Sequence, residues 1–146
     1  MSELNNTFKM YGEVLARNFD MLPLDQGWAL KKLLYLSEDL FWFKGHFPHQ
    51  PVLPGIAQLS WAIEIAAKHL EDGRCFYRLD RAKFQRPLSA GETVLLQLKW
   101  AAERQVLEFS YHFVTQESFL VRNLSWEQAQ EMMVPASSGK LGYRIG

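Results

Sequence analysis

Cysteine is almost absent from this sequence, with Cys75 the single one in 146 residues. No disulfide can therefore form within the chain, as is usual in a reducing compartment. Long hydrophobic runs are missing too, since none approaches the roughly 20 apolar residues that a membrane-spanning helix needs. The first six residues are polar and lack the charged-then-apolar order of a secretory signal. These absences predict a cytoplasmic protein with no membrane span.

An excess of charge of one sign is also absent. Sixteen basic and sixteen acidic side chains cancel, whereas a protein that binds nucleic acid usually carries a basic surface. The sequence contains no glycine-rich phosphate loop, no cysteine–histidine metal cluster and no Gly-x-Ser-x-Gly elbow. We therefore expect no nucleic-acid partner, no metal ion and no cofactor, and serine-hydrolase chemistry has no support.

Apolar residues are plentiful enough for one folded domain. Hydrophobic residues make up 48% of the chain and aromatic residues 14%. This composition argues against a disordered protein, because disorder needs low hydrophobicity and high net charge. The length is that of one ordinary domain, and no repeat or linker divides it. Residues 1–146 are therefore predicted to form a single domain.

Two segments place apolar residues at helical spacing. Residues 7–22 show this spacing and predict an amphipathic helix, which Pro23 would end. A second run begins after Pro54 and Gly55 and predicts a helix over about 56–70. Its apolar residues lie on nearly every side, which is typical of a buried helix. This second helix is the most distinctive element of the sequence.

Alternating apolar and polar residues predict four strands, one before the central helix and three after it. The predicted strands are residues 28–36, 75–84, 92–101 and 104–114. Residues 122–146 are assigned poorly, but Ser125 is a candidate N-cap for a short helix to Met132, and a final strand is predicted over 140–145. Together these elements indicate an α+β domain, in which an antiparallel sheet wraps around a long central helix.

The segment from Phe43 to Gly55, FKGHFPHQPVLPG, carries the most specific motif. It resembles the signature of the β-hydroxyacyl-acyl-carrier-protein dehydratases, in which a Gly-His-Phe-Pro loop runs through two further prolines into a Pro-Gly helix start. Residues 83–92, KFQRPLSAGE, resemble the strand–turn–strand segment of the same family. The stretch that begins at Val52 looks nearest to the divergent dehydratase-like proteins of aryl-polyene gene clusters.

This resemblance implies a hot-dog fold. It also implies a homodimer, or a heterodimer with another hot-dog protein, and acyl tunnels at the interface between the subunits. The implied substrate is a thioester of the acyl-carrier protein or of coenzyme A. The implied reaction is dehydration of a 3-hydroxyacyl thioester to a trans-2-enoyl thioester, in fatty-acid or polyene synthesis.

The resemblance gives His46 the role of general base, since a histidine titrates near neutral pH and can remove an α-proton from the thioester. The first backbone N–H groups of a helix lack intrahelical partners and lie at the positive end of its dipole. The N–H of Gly55 would therefore bind the thioester carbonyl as that oxygen gains negative charge. The other expected substrate-binding residues are Phe47, Pro54, Ile56 and Trp61. His49 is expected to be a loop or tunnel-mouth side chain, and Trp61 equally suits the core.

The sequence departs from the family where a catalytic acid is expected. The dehydratases carry an acidic residue fourteen positions after the histidine, and here that position is Ser60, whose hydroxyl is too weak an acid to replace a carboxyl group. Glu64 lies one turn further along the same face, about 5–6 Å away at Cβ. Glu64 is therefore a candidate acid, acting directly or through Ser60 or a water molecule. Equally, Glu64 could form a structural ion pair with Lys68 or Arg86.

The sequence thus favours a hydro-lyase, a 3-hydroxyacyl-acyl-carrier-protein dehydratase, in which His46 is the base, Gly55 binds the carbonyl and Glu64 is the candidate acid. Two alternatives stay open. One is an acyl-thioester hydrolase on the same fold, which needs an activated water rather than an acid. The other is a non-catalytic, acyl-binding partner subunit. Ser60 is the feature that favours both alternatives.

Overall fold

The computed structural model describes residues 15–38, 40, 43, 52–71, 73–115 and 125–146. These residues form six strands and two helices. The elements, in chain order, are β1 (Leu15–Leu24), β2 (Gly27–Tyr35), α1 (Gly55–Ala67), β3 (Arg74–Phe84), β4 (Thr93–Ala101), β5 (Val106–Val114), α2 (Trp126–Met132) and β6 (Met133–Ile145).

The strands form one sheet in the order β1-β2-β4-β5-β6-β3, and every neighbouring pair is antiparallel. β1 and β3 are therefore the two edges. The alternating pattern of β4 places Val94, Leu96, Leu98 and Trp100 in a single buried core. Trp61 and four other side chains of α1 belong to the same core, so one face of the sheet covers the central helix.

The α+β class and the four strands predicted from alternation are confirmed. The short helix near the end of the chain, α2, is confirmed as well. The hydroxyl of Ser125 accepts a hydrogen bond from the N–H of Gln128 (3.2 Å), and the Gln128 side chain accepts one from the N–H of Ser125 (2.9 Å). This reciprocal capping satisfies two backbone donors and fixes the start of α2.

The final strand is longer than predicted, because β6 begins at Met133 and not at residue 140. Ser137, Ser138 and Gly139 look like a turn in the sequence, yet each pairs with both β5 and β3. A side chain at position 139 would collide with the carbonyl oxygen of Arg81 and the ring of Phe109. Gly139 therefore serves close packing inside the sheet rather than a turn.

The prediction of a helix over 7–22 is wrong for residues 15–22, which belong to the edge strand β1. This strand runs antiparallel to β2, with Leu15 opposite Tyr35 and Leu24 opposite Gly27. Pairing with the open edge of β2 outweighs the helical spacing, which is a weak signal in a segment of this length. Pro23 is tolerated because β1 is an edge strand. Residues 7–14 lie outside the described part of the chain.

The central helix α1 is shorter than predicted and ends at Ala67, with Lys68 as its C-cap. Ala57, Trp61 and Ile65 lie on its buried face. The expectation that the whole helix is buried is wrong, since the side chain of Ile56 is 61% exposed and Ala67 is also exposed. Within the described residues, neither helix has the length and apolar character needed to cross a membrane.

A buried polar network joins the start of α1 to the sheet and centres on Gln58. The hydroxyl of Ser137 on β6 donates to Oε1 of Gln58 (2.6 Å), and Nε2 of Gln58 donates to the carbonyl of Leu53 (3.2 Å). The hydroxyl of Tyr111 on β5 donates to the backbone carbonyl of Gln58 (2.8 Å). Because buried hydrogen bonds are costly to break, this network fixes where the helix begins.

Candidate active site

The part of the predicted site that the structure describes lies on α1 and at its start. Pro54 is the N-cap residue and has an extended backbone, as its fixed φ favours. No side chain caps this end of the helix, and no acidic residue lies in its first turn. The N–H groups of Ala57 and Gln58 both donate to the carbonyl of Pro54 (3.0 and 3.2 Å). Gly55 is the first residue of the helix, and the first N–H groups of a helix have no acceptor within the helix itself.

The two segments that carry the family resemblance meet at this helix start. The N–H of Leu53 donates to the carbonyl of Leu88 (2.7 Å), and Val52 forms an isolated antiparallel bridge with Ser89. The first segment is thereby held against the second, although the paired residues are more than thirty positions apart in the sequence. His46 and Phe47 lie outside the described residues, so their roles stay predictions.

Phe84, at the end of β3, is a residue of this region that the sequence did not single out. A Cβ atom on Gly55 would lie 2.9 Å from Cζ of Phe84. A side chain at position 55 would push this ring aside, so glycine lets the ring pack against the helix start. Phe84 remains 49% exposed and Ile56 61% exposed, so two apolar side chains flank Gly55 and can contact a ligand there. The sequence signal that could have identified Phe84 is its place as an aromatic residue inside the second resemblance segment.

Ser60 and Glu64 are both half-buried on α1. At a rise of about 1.5 Å per residue, Ser60 lies about 7.5 Å along the helix axis from Gly55, and Glu64 about 13.5 Å. Position 60 is therefore nearer to the place where a thioester carbonyl would bind. Trp61 has no exposed surface and packs in the core, as the alternative interpretation of this residue expected.

Arg86 is held in place by contacts within the second resemblance segment and β5. Its guanidinium donates to both carboxylate oxygens of Glu92 (3.2 and 3.0 Å) and to the carbonyl of Pro87 (2.8 Å). It also lies over the ring of Phe113, 3.8 Å from the ring centroid. These contacts favour Lys68 over Arg86 as an ion-pair partner for Glu64.

Two other histidines lie in the described part of the chain. Burial lowers the pKa of His69, and the nearby charges of Lys32 and Lys68 lower it further. Burial alone lowers the pKa of His112, which belongs to β5. His69 follows the C-terminal end of α1, so neither histidine lies at the start of the helix, and His46 stays the candidate base. The described residues contain no cluster of side chains that could hold a metal ion.

Over residues 26–122 the sequence matches the model of the ApeI-like family, which is described as ApeI dehydratase. The chain belongs to the ApeI-like family. The matched region spans both resemblance segments, the whole of α1 and the strands from β2 to β5. The predicted membership in a divergent family of hot-dog dehydratases is therefore confirmed.

Curated relatives of this ApeI-like chain include the 3-hydroxyacyl-[acyl-carrier-protein] dehydratase FabZ of Yersinia enterocolitica, which is 28% identical over 96 residues. The alignment covers 60% of this chain and 57% of that relative. A FabZ of Yersinia pestis is also 28% identical over 96 residues and is covered to 54% of its length. The chain thus spans little more than half the length of the curated relatives it matches.

Solved structures resemble the ApeI-like chain over nearly its full length. An uncharacterized protein from Erwinia carotovora subsp. atroseptica is 34% identical with a TM-score of 0.72, over 90% of this chain and 97% of that one. The dehydratase heterocomplex ApeI:P from Xenorhabdus doucetiae contains a chain that is 32% identical with a TM-score of 0.63, over 88% and 97%. These matches confirm the hot-dog fold.

Proposed function

We propose that this ApeI-like chain is a single-domain hydro-lyase that converts 3-hydroxyacyl thioesters into trans-2-enoyl thioesters on an acyl-carrier protein, in fatty-acid or polyene synthesis. The observation that carries the proposal is the uncapped start of α1, where the first resemblance segment ends at Gly55. Leu88 and Ser89 hold the last residues of that segment through Leu53 and Val52. The FabZ relatives act on 3-hydroxyacyl-[acyl-carrier-protein] substrates by name. The single cysteine suits the cytoplasm as the location.

In the proposed reaction, the imidazole of His46 removes a proton from the α-carbon of the thioester. The electron pair moves onto the carbonyl oxygen, and the N–H of Gly55 stabilises the resulting negative charge. When the pair returns, the bond between the β-carbon and its hydroxyl breaks. The hydroxyl takes up a proton and leaves as water, and the product is the trans-2-enoyl thioester.

Protonation of the leaving hydroxyl is the step for which this chain lacks the family's usual acid. We assign it to Glu64, because Ser60 cannot supply a proton readily at neutral pH. Glu64 lies about 6 Å further along the helix axis than Ser60. A water molecule or the hydroxyl of Ser60 would bridge that distance, which makes Ser60 a positioning residue in this proposal.

The proposed assembly is a dimer with another hot-dog subunit, identical or different. The edge strand β3 is exposed along nearly its whole length and presents Phe76, Leu79 and Phe84 to solvent. An open, apolar strand edge invites pairing with another chain. The ApeI:P structure is a heterocomplex, which supports a partner subunit of the same fold.

We expect the purified protein to have at least twice the mass of the 17.0 kDa chain, because pairing covers the edge of β3. Light scattering at micromolar concentration, with and without a second hot-dog protein as candidate partner, measures this mass. Doubling of the mass only in the mixture would indicate the heterodimer. A mass near that of one chain in both samples would contradict the proposed assembly.

The wild-type protein is expected to form an enoyl thioester from a 3-hydroxyacyl thioester and to release no free thiol. A saturated acyl thioester of the same length should be left unchanged. Following enoyl absorbance and free thiol separately in both reactions distinguishes the alternatives. Thiol released from both thioesters would indicate a hydrolase, and binding without any turnover would indicate a non-catalytic subunit.

A further inference from the structure

A cavity lies at the C-terminal end of α1, away from Gly55. It has a volume of about 240 Å³ and opens between the last turns of α1 and the strands β3 and β6. Its apolar walls are Ile63, Ala67, Leu70 and Phe76. Its polar lining includes Arg74 and Tyr143. Ile63 follows Gly55 by eight residues, or about 12 Å along the helix axis, so this cavity is separate from the candidate active site.

Two buried polar atoms of this cavity have no hydrogen-bond partner among the described residues. They are Nη1 of Arg74 and the hydroxyl of Tyr143. Tyr143 is only 5% exposed, and the side chain of Arg74 is 13% exposed. Folded proteins rarely leave such buried groups unpaired, and an exception usually marks the place of a ligand or a bound water.

Aromatic packing holds both donors in place before any ligand arrives. The ring of Trp100 meets the ring of Tyr143 edge-on at 5.3 Å between centroids, and Phe76 contacts Tyr143 at 6.1 Å. The guanidinium of Arg74 lies 5.7 Å from the centroid of Trp100. Burial raises the pKa of Tyr143 to about 12, so its hydroxyl stays protonated at neutral pH and can donate.

We propose that this cavity binds a small carboxylate with an unbranched apolar chain. Nη1 of Arg74 and the hydroxyl of Tyr143 donate to the carboxylate oxygens, and the apolar walls cover the chain. Two donors and one positive charge suit a carboxylate, which accepts charge-assisted hydrogen bonds. An ammonium group of the same size would be repelled by the positive charge of Arg74.

Among the residues that the structure describes around this cavity, Glu71 and the end of α1 oppose such a ligand, and the effect of each is weaker than that of Arg74. The carboxylate of Glu71 lies 3.5 Å from Nη2 of Arg74, but its side chain is 84% exposed, so solvent screens it strongly. The C-terminal end of α1 carries a partial negative charge of roughly half a unit. The full charge of Arg74 is buried beside the ligand and is therefore screened less than either of them.

Titration calorimetry with octanoate tests this site, with octylamine and octanol as matched ligands. We expect saturable binding of one octanoate per chain, much weaker binding of octanol and none of octylamine. Arg74→Met should weaken octanoate binding at least about tenfold, since it removes a charged hydrogen-bond donor. Glu71→Gln, the matched control at the rim, should bind octanoate at least as tightly as the wild type.

The Tyr143→Phe variant tests ligand binding without a loss of stability, because the hydroxyl of Tyr143 has no hydrogen-bond partner among the described residues. This variant should bind octanoate about tenfold more weakly while its melting temperature stays level or rises. The proposal is overturned if wild-type protein shows no saturable binding of octanoate, or if octanol binds as well. It is also overturned if folded Tyr143→Phe binds octanoate as tightly as the wild type, since the carboxylate of octanoate would then bind elsewhere.

Discussion

Replacing His46 with alanine is expected to lower the turnover of 3-hydroxyacyl thioesters by roughly 10²–10⁴-fold, which is the usual contribution of a general base. The melting temperature should change little, because strands of the sheet and α1 supply most of the described core. His49→Ala is the matched control, since it removes a histidine three positions away in the same resemblance segment and should keep most of the activity. Steady-state kinetics and thermal melting on both variants measure the two effects.

A folded His46→Ala protein that keeps more than about a tenth of the activity would show that His46 is not the general base. Equal losses in the His46 and His49 variants would mean that the whole segment, and not one imidazole, supports turnover. In either case the proposed proton removal would need another group. His69 and His112 would not serve, because neither lies at the start of α1.

Replacing Glu64 with glutamine is expected to remove dehydration if this carboxyl group protonates the leaving hydroxyl. Ser60→Ala should do less harm, since Ser60 only bridges or positions in the proposed mechanism. Ser60→Asp should preserve or raise activity, because it returns an acid to the position nearer to Gly55. Turnover and melting temperature are measured on the same three variants.

The competing explanation makes Glu64 a structural ion-pair partner, and it predicts a different pattern. Glu64→Gln would then lower stability and leave the turnover of folded molecules unchanged. Breaking a buried pair costs about 3–5 kcal/mol, but Glu64 is only half-buried, so the loss should be nearer 1 kcal/mol. An active wild type with an unaffected Glu64→Gln variant would contradict the displaced acid. If the wild type is inactive and only Ser60→Asp is active, the chain is a dehydratase that has lost its activity together with its catalytic acid.

Strong local patterns predicted most of the fold. Alternation over Val94 to Trp100 and over Leu107 to Phe113 was long enough to assign β4 and β5, and the spacing of Ser125 and Gln128 assigned α2. The predictions that were wrong concern segments whose structure depends on contacts with distant strands. Residues 15–22 have helical spacing but complete the edge of β2, and a Ser-Ser-Gly turn pattern lies inside β6 because Gly139 packs against Phe109.

The candidate site was only partly predictable from the sequence, because some of its residues are brought together by contacts between distant segments. The motif identified the helix start and Gly55 directly. The contact of Phe84 with Gly55 joins residues far apart in the chain, and no local pattern encodes it. The cavity beside Tyr143 and Arg74 combines the end of a helix with two strands in the same way. Such sites appear only once the register of β3 against β6 is known.

The most direct test of the proposed function is the intact mass of an acyl-carrier protein that bears a 3-hydroxyacyl group, before and after incubation with the protein. We predict the loss of one water from the carrier-bound group with the thioester intact. The same ratio of the two forms should be reached from the trans-2-enoyl carrier. An unchanged mass, with and without a partner subunit, or loss of the whole acyl group, would contradict the account.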